Sequence, residues 1–315
     1  MRKAFVPRVH ALPPGRGVLP IHLGVASSRE RQRRGSNVAQ PKANTILQCM
    51  DNLEDLGLVD DDDIVLDEAA LTLALQDHAE IDVGPYEDVL SDIASRLDGV
   101  GVGAADASER AACLAQVLAA EFGFSGDAKT YDNPDNADLI RVIDRLRGLP
   151  ISLSILYVAA ARRIGWTAEI LNLPGHVLVM VGDEAKPVII DPFRGGAQVD
   201  AGEIIALLAP AKSGVTAAVR HVSAMKNRAI LVRLLLNQAT RAERAGDRRR
   251  ALMLYRRMTS IAPEYSHPWW ERARLELVDN DIAAARASLI AMLEITREPT
   301  LRERVTGILD ALATA

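Results

Sequence analysis

Cysteine is almost missing from this chain: Cys49 and Cys113 are the two present in 315 residues, in unrelated contexts and without a CxxC or Cys/His spacing around either. That excludes a disulfide framework and a zinc site as organising features, and it fits a reducing, cytoplasmic compartment. Long apolar runs are missing too. Crossing a bilayer takes about 18–20 apolar residues, and the strongest candidate, "ILVRLLL", is broken by Arg233. No membrane partner is expected. The acidic run "DDDDIVLDE" from Asp60 to Glu68 lacks the alternating ligands and central glycine of a calcium loop, so neither a metal nor another cofactor is expected. Its acids read instead as a solvated helix start at the positive end of the helix dipole.

What is present is enough apolar material, 49% of residues, to bury a sizeable core. The net charge of -5 is unevenly spread: residues 1–49 carry +8, residues 50–100 carry -15 and the remainder +2. The basic segment 1–49 has scattered Pro and Gly and no sustained periodicity, and Pro7 and Arg8 interrupt any signal-peptide core. It is expected to be a disordered extension ahead of a working start near Met50. Its cluster from Arg29 to Arg34 is not interleaved with aromatics, and no helix-turn-helix pattern follows, so nucleic acid is not expected as a partner.

From Asp51 the pattern is helical. "LDEAALTLALQDH" and "GPYEDVLSDIASRL" space apolar residues by three and four, and the second has Pro85 in its first turn. "SERAACLAQVLAAEFGF" predicts another helix, capped at Ser108, with Cys113 as a small core residue. After a turn-rich approach, "GLPISLSILYVAAARRIG" predicts a helix that opens at Pro150 and stops at Gly165. Three strand-like runs follow, "TAEILNL", "HVLVMV" and "KPVIID". If Val181 faces Lys186 across the "GDEA" turn, His176 falls opposite Asp191, an imidazole beside a carboxylate. Such a pair can orient a general base, and it is also a common structural anchor.

The blocks "NPDNADLIRVIDRLRGLPISLSILYVAAARRIGW", "LPGHVLVMV" and "IIDPFRGG", followed by helical repeats, resemble the bacterial SirB-type family of transglutaminase-like proteins over roughly residues 62–300. The resemblance implies a papain-type core whose Cys, His and Asp occur in that order. Here, as the resemblance to the SirB-type family implies, the nucleophile position that is Cys in active relatives reads Pro150, which has neither a thiol nor an N–H. His176 and Asp191 then form a remnant dyad beside a cleft at Pro150 and Ser154. Ser152 points about 200° around the helix from Pro150, and Ser154 returns to its face about 6 Å deeper.

From Lys226 to the end the chain is helical and repeats at a shift of 34, the tetratricopeptide period: Gly246-Asp247 aligns with Asn280-Asp281, Ala251 with Ala285, and Leu235 with Trp269. Two repeats fall short of the about three needed for independent stability, so they should dock on the core or on another copy of the chain. Arg248, Arg249 and Trp270 are the candidate partner contacts, with Trp269 taken as core.

The sequence thus predicts an α+β protein: a disordered extension over 1–49, a transglutaminase-like domain over 50–225 with a helical N-terminal part and a helix-plus-antiparallel-sheet core, and an all-α tetratricopeptide tail over 226–315. The expected function is a non-catalytic interaction or regulatory module binding a protein or peptide through its repeats, with a homodimer left open. The alternative is a hydrolase or transamidase using His176 and Asp191 with an unrecognised nucleophile.

Overall fold

The computed structural model describes residues 53–173, 175–183, 185–208 and 223–313; the extension over 1–49 and Cys49 lie outside them. The chain builds α1 (Leu53–Leu58), α2 (Leu66–Leu75), α3 (Gly84–Val100), α4 (Ala107–Leu114), β1 (Ser125–Gly126), α5 (Leu139–Arg145), β2 (Arg147–Gly148) and α6 (Pro150–Arg163). The strands β3 (Ala168–Leu173), β4 (His176–Val181), β5 (Val188–Asp191) and β6 (Ala197–Gln198) follow, then α7 (Ala201–Leu208). Five helices end the chain: α8 (Asn227–Arg244), α9 (Arg248–Ile261), α10 (Ser266–Val278), α11 (Ile282–Ile295) and α12 (Pro299–Ala313). A helical and antiparallel α+β core with a helical tail is therefore observed.

Helix α6 is the axis of the molecule. Every residue from Ile151 to Ala161 is buried, as expected of a helix apolar all round. Pro150 occupies its first turn and Gly165, at φ 79°, ends it. The Leu149 N–H, orphaned by the helix start, is taken up by Asn136 O at 2.9 Å and by Ser152 Oγ at 3.1 Å. On one side of α6 lies the antiparallel sheet, ordered β3-β4-β5-β6. Val177, Val179, Val181 and Ile190 share the apolar cluster of α6, whereas Leu171, Leu173 and Leu178 join Val199 and Leu208 in a second cluster on the opposite face, with Met180 packed against it. The helices α2, α3, α5 and α8 contribute to the α6 cluster as well.

Two local expectations are corrected. Asp106, not Ser108, caps α4, accepting the Glu109 N–H; the helix then widens to a π-helix over Ala115–Glu121. The acid run is solvated only in part: Asp60, Asp62 and Asp63 are exposed, whereas Asp67 and Glu68 are buried, and Arg163 reaches them at 2.8 and 3.2 Å. Burial raises the Glu68 carboxyl, the Asp67 charge adds to the rise, and Arg163 opposes it. Cys113 is half-buried, its thiol 3.6 Å from Val100 O.

The tail carries its period in its geometry. Helices α9 and α11 start at residues 248 and 282 and end at 261 and 295, and the aspartate ahead of each, Asp247 and Asp281, accepts the N–H three residues on. Gly246 and Asn280 both take positive φ, 78° and 59°, in the preceding turns. Helices α8 and α9 dock on the core: Ile230, Leu231, Leu234, Leu254 and Met258 belong to the same cluster as α6. Trp270, Leu289, Met292, Val305 and Leu312 form a separate cluster among α10, α11 and α12.

Candidate functional site

Helix α6 turns through Gly165 into β3, and Arg162 at its C-terminal end donates to Ala168 O at 3.0 Å and meets Glu169 at 2.7 Å, at the start of that strand. The Pro150 end of α6 consequently lies with the C-terminal end of β3, the first residue of β4 and the last of β5. Those positions are Asn172, His176 and Asp191.

The expected register does not hold. Val181 pairs with Val188 rather than Lys186, and Val179 with Ile190. Continuing that ladder sets Asp191 against Leu178, two residues from His176. The cause is the turn: the Asp183 carboxylate accepts the N–H groups of Ala185 and Lys186 at 3.1 and 3.3 Å, which lengthens the connection by holding Lys186 out of the ladder. His176 and Asp191 remain on one face as diagonal neighbours.

That face is the one turned away from α6, because His176 alternates with Val177 and shares its side with Leu178 and Met180. His176 is exposed. The Asp191 carboxylate accepts the Phe193 N–H at 2.9 Å and Arg194 Nε at 2.8 Å, and among the described residues it makes no hydrogen bond to His176. Asp191 also adds to the strong upward push that burial gives the Tyr157 hydroxyl on α6. Pro150 is half-buried, but Ser154 is fully buried with its Oγ unpartnered among the described residues, so it lines no open cleft. Ser152 is buried too, donating to Asn136 O at 2.6 Å.

In the tail, Arg248 and Arg249 are exposed at the start of α9. The tryptophans are the reverse of expectation. Trp270 is 2% exposed in the tail's own core with Arg304 4.4 Å over its ring, so it is not a surface contact; Trp269 is half-buried and donates to Pro263 O at 2.8 Å.

Sequence reasoning missed what surrounds the Pro150 end. Arg233 of α8 donates to Asn172 Oδ1. Arg241, two turns on, lies 5.5 Å over the Tyr131 ring, which meets Phe193 edge to face at 5.9 Å. Gly126 leaves space for Phe193, whose ring would sit 2.5 Å from a Cβ there. The signal was the spacing of Arg233, Asn237 and Arg241, which places all three on one side of α8.

Comparison with known proteins fits this arrangement. Residues 85–236 match the model of the transglutaminase-like superfamily. This part of the chain is similar to transglutaminase-like domains. The match extends to residue 236, within α8. A UPF0162 protein of Xylella fastidiosa (strain 9a5c) is 30% identical over 186 residues, 58% of this chain and 66% of the relative, so the chain spans just under two thirds of that relative's length. A UPF0162 protein of Pseudomonas aeruginosa is 29% identical over 211 residues, 66% of this chain and 76% of the relative. Mouse F-box only protein 21 is 31% identical over 138 residues, 41% of this chain but 21% of that protein. Among solved structures, menin matches with 12% identity and a TM-score of 0.37, covering 78% of this chain and 70% of menin, too loose a likeness to carry argument. Among the described residues no helix is long and apolar enough to cross a membrane, and no cluster of His, Cys, Asp or Glu could hold a metal ion.

Proposed function

We propose that the protein is a non-catalytic, SirB-type transglutaminase-like protein with a tetratricopeptide-type tail, acting in the cytoplasm of a bacterium as an interaction or regulatory module. The observation that carries this reading is Pro150 in the first turn of the buried helix α6, where active transglutaminase-like relatives carry a thiol. Proline brings no nucleophile and no N–H for an oxyanion. The placement of His176 on the sheet face away from α6, and of the Asp191 oxygens on Phe193 and Arg194, supports it further. The 34-residue period of α9 and α11 supports the tetratricopeptide reading of the tail, and exposed Arg248 and Arg249 are its proposed protein contacts. The Pro150 end of α6 is the proposed seat for an extended peptide.

The test has two parts. The full chain and its His176→Ala variant are assayed for hydrolysis and transamidation of amide and ester substrates. No His176-dependent turnover is expected; turnover abolished by His176→Ala with folding intact overturns the reading in favour of an enzyme. Immobilised full chain is then compared with an Arg248→Glu/Arg249→Glu variant in lysate. A stoichiometric protein is expected to bind the first and not the second.

A further inference from the structure

The guanidinium of Arg233 differs from most of the buried arginines around the core in what it meets. Arg145, Arg163, Arg250 and Arg257, all at least partly buried, each meet a carboxylate. Arg233 is also partly buried, yet among the described residues its recorded partner is a neutral amide oxygen, Asn172 Oδ1. Burial pulls its pKa down from the ordinary arginine value, with the nearby Tyr131 opposing, whereas carboxylates raise those of Arg163 and Arg274. A guanidinium offers five donors in a planar fork, and one amide oxygen leaves most of them unused.

The neighbours do not supply the missing charge. Asn237, one turn along α8, accepts from Arg241 through Oδ1 at 3.1 Å and donates to Arg233 O at 2.9 Å, so it adds no anion. Arg241 adds a second cation; among the described residues its Nε is buried without a partner, and its ion pair is with Asp132 at 3.6 Å, an exposed carboxylate shared with Arg244. The aromatic edge of Tyr131 and Phe193 borders the same region. Among the described residues the result is one positive charge without a carboxylate partner, held by Asn172 beside an aromatic pair.

We propose that Arg233, supported by Asn172 and bordered by Tyr131, binds the carboxylate of a peptide ligand at the Pro150 end of α6. The proposal rests on the binding-module reading above and names the ligand chemistry. A carboxylate matches the guanidinium fork in shape and in charge, since one monoanion neutralises Arg233 while Arg241 is already shared with Asp132. The aromatic pair suits an apolar residue next to that carboxylate.

The test titrates the full chain with N-acetyl-Gly-Phe carrying a free carboxylate, its C-terminal amide, N-acetyl-Phe-Glu-amide and inorganic phosphate, at millimolar concentration and matched ionic strength. At least one carboxylate peptide should bind about 10-fold or more tightly than the amide, as charge-assisted hydrogen bonds imply. Preference for the first probe assigns a chain terminus and for the third an acidic side chain. In Arg233→Gln the preference should vanish, in Arg233→Lys it should weaken, and in Arg248→Gln it should persist; circular dichroism establishes folding, and Arg233→Lys carries the comparison if Arg233→Gln does not fold. Equal binding of carboxylate and amide, no binding of either carboxylate peptide, a preference that survives loss of the guanidinium, or tighter binding of phosphate overturns the proposal. His176-dependent turnover would instead overturn the non-catalytic reading, so the two failures are separate.

Discussion

The Asp61 carboxylate holds the N-terminus of α8 from across the chain, its two oxygens accepting the N–H groups of Asn227 at 3.0 Å and Arg228 at 2.9 Å. The residue in the capping position itself, Lys226, provides no side-chain acceptor. Asn227 completes the link, donating to Asp61 O at 2.8 Å and accepting from Arg162 Nη1 at 2.8 Å. Asp61→Ala should therefore cost about 1–2 kcal/mol, the range for loss of a helix cap. Urea unfolding would measure it; an unchanged midpoint would show that water replaces the cap.

A second anchor titrates. Asp77, at the end of α2, meets both Arg250 and Arg257 of α9. Burial pulls its pKa up, but hydrogen bonds and charge from the two guanidiniums outweigh that and bring it down to about 2 from 3.8. A lowered folded-state pKa means the stabilisation is complete above the unfolded value and is lost as pH falls through the folded one. The difference corresponds to about 2 kcal/mol, lost between about pH 5 and pH 2. Asp77→Asn should remove this part of the acid dependence in chemical denaturation run from pH 6 to pH 2, while destabilising the protein at neutral pH.

Gly57 gives a prediction whose sign is informative. In an exposed helix, Gly→Ala gains roughly 1 kcal/mol. In α1 a Cβ at Gly57 would lie 2.5 Å from the Ser260 carbonyl oxygen of α9, a backbone atom that cannot swing aside. Gly57→Ala is expected to destabilise by about 1–3 kcal/mol. Thermal unfolding decides it, and a rise in Tm would mean that α1 does not pack on α9.

The tryptophan pair separates core from surface. Trp270→Ala should cost about 3–5 kcal/mol, as for a large buried side chain. Trp269→Ala should cost less, since its ring is half-buried and is covered on one side by Arg272 at 5.2 Å. Comparable losses at both positions would contradict the packing of α10.

Periodicity and punctuation made most elements legible. Pro150 and Gly165 bracket α6, the three apolar runs became β3, β4 and β5, and the 34-residue shift reproduced the bounds of α9 and α11. The strand register was not legible, because it depended on which N–H groups the Asp183 side chain captured in the turn. Nor were the long-range polar anchors. Nothing local in "DDDD" distinguishes Asp61, which is chosen by the arrival of α8 from 166 residues away. Arg233 was read as an interruption of an apolar run, whereas its position on the face of α8 turned toward Asn172 gives it a partner.

The shared cluster of α6, α8 and α9 bears on how this protein comes apart. Ile230 and Leu234 are packed into the same interior as Ile155 and Val158, and Leu254, Met258 and Ile261 extend it to Leu56 near the N-terminal end of the described chain. Cutting at residue 226 would strip that interior of one wall and expose apolar surface that has no water-compatible substitute. Residues 53–262 should therefore melt as one cooperative unit, with α10 tied to it through Leu275 and fraying confined to α11 and α12, whose Leu289, Met292, Val305 and Leu312 lie in the separate tail cluster. Hydrogen exchange would then find protection in α8 equal to that in α6, so α8, although it heads the repeats, shares its folding free energy with the sheet-bearing half.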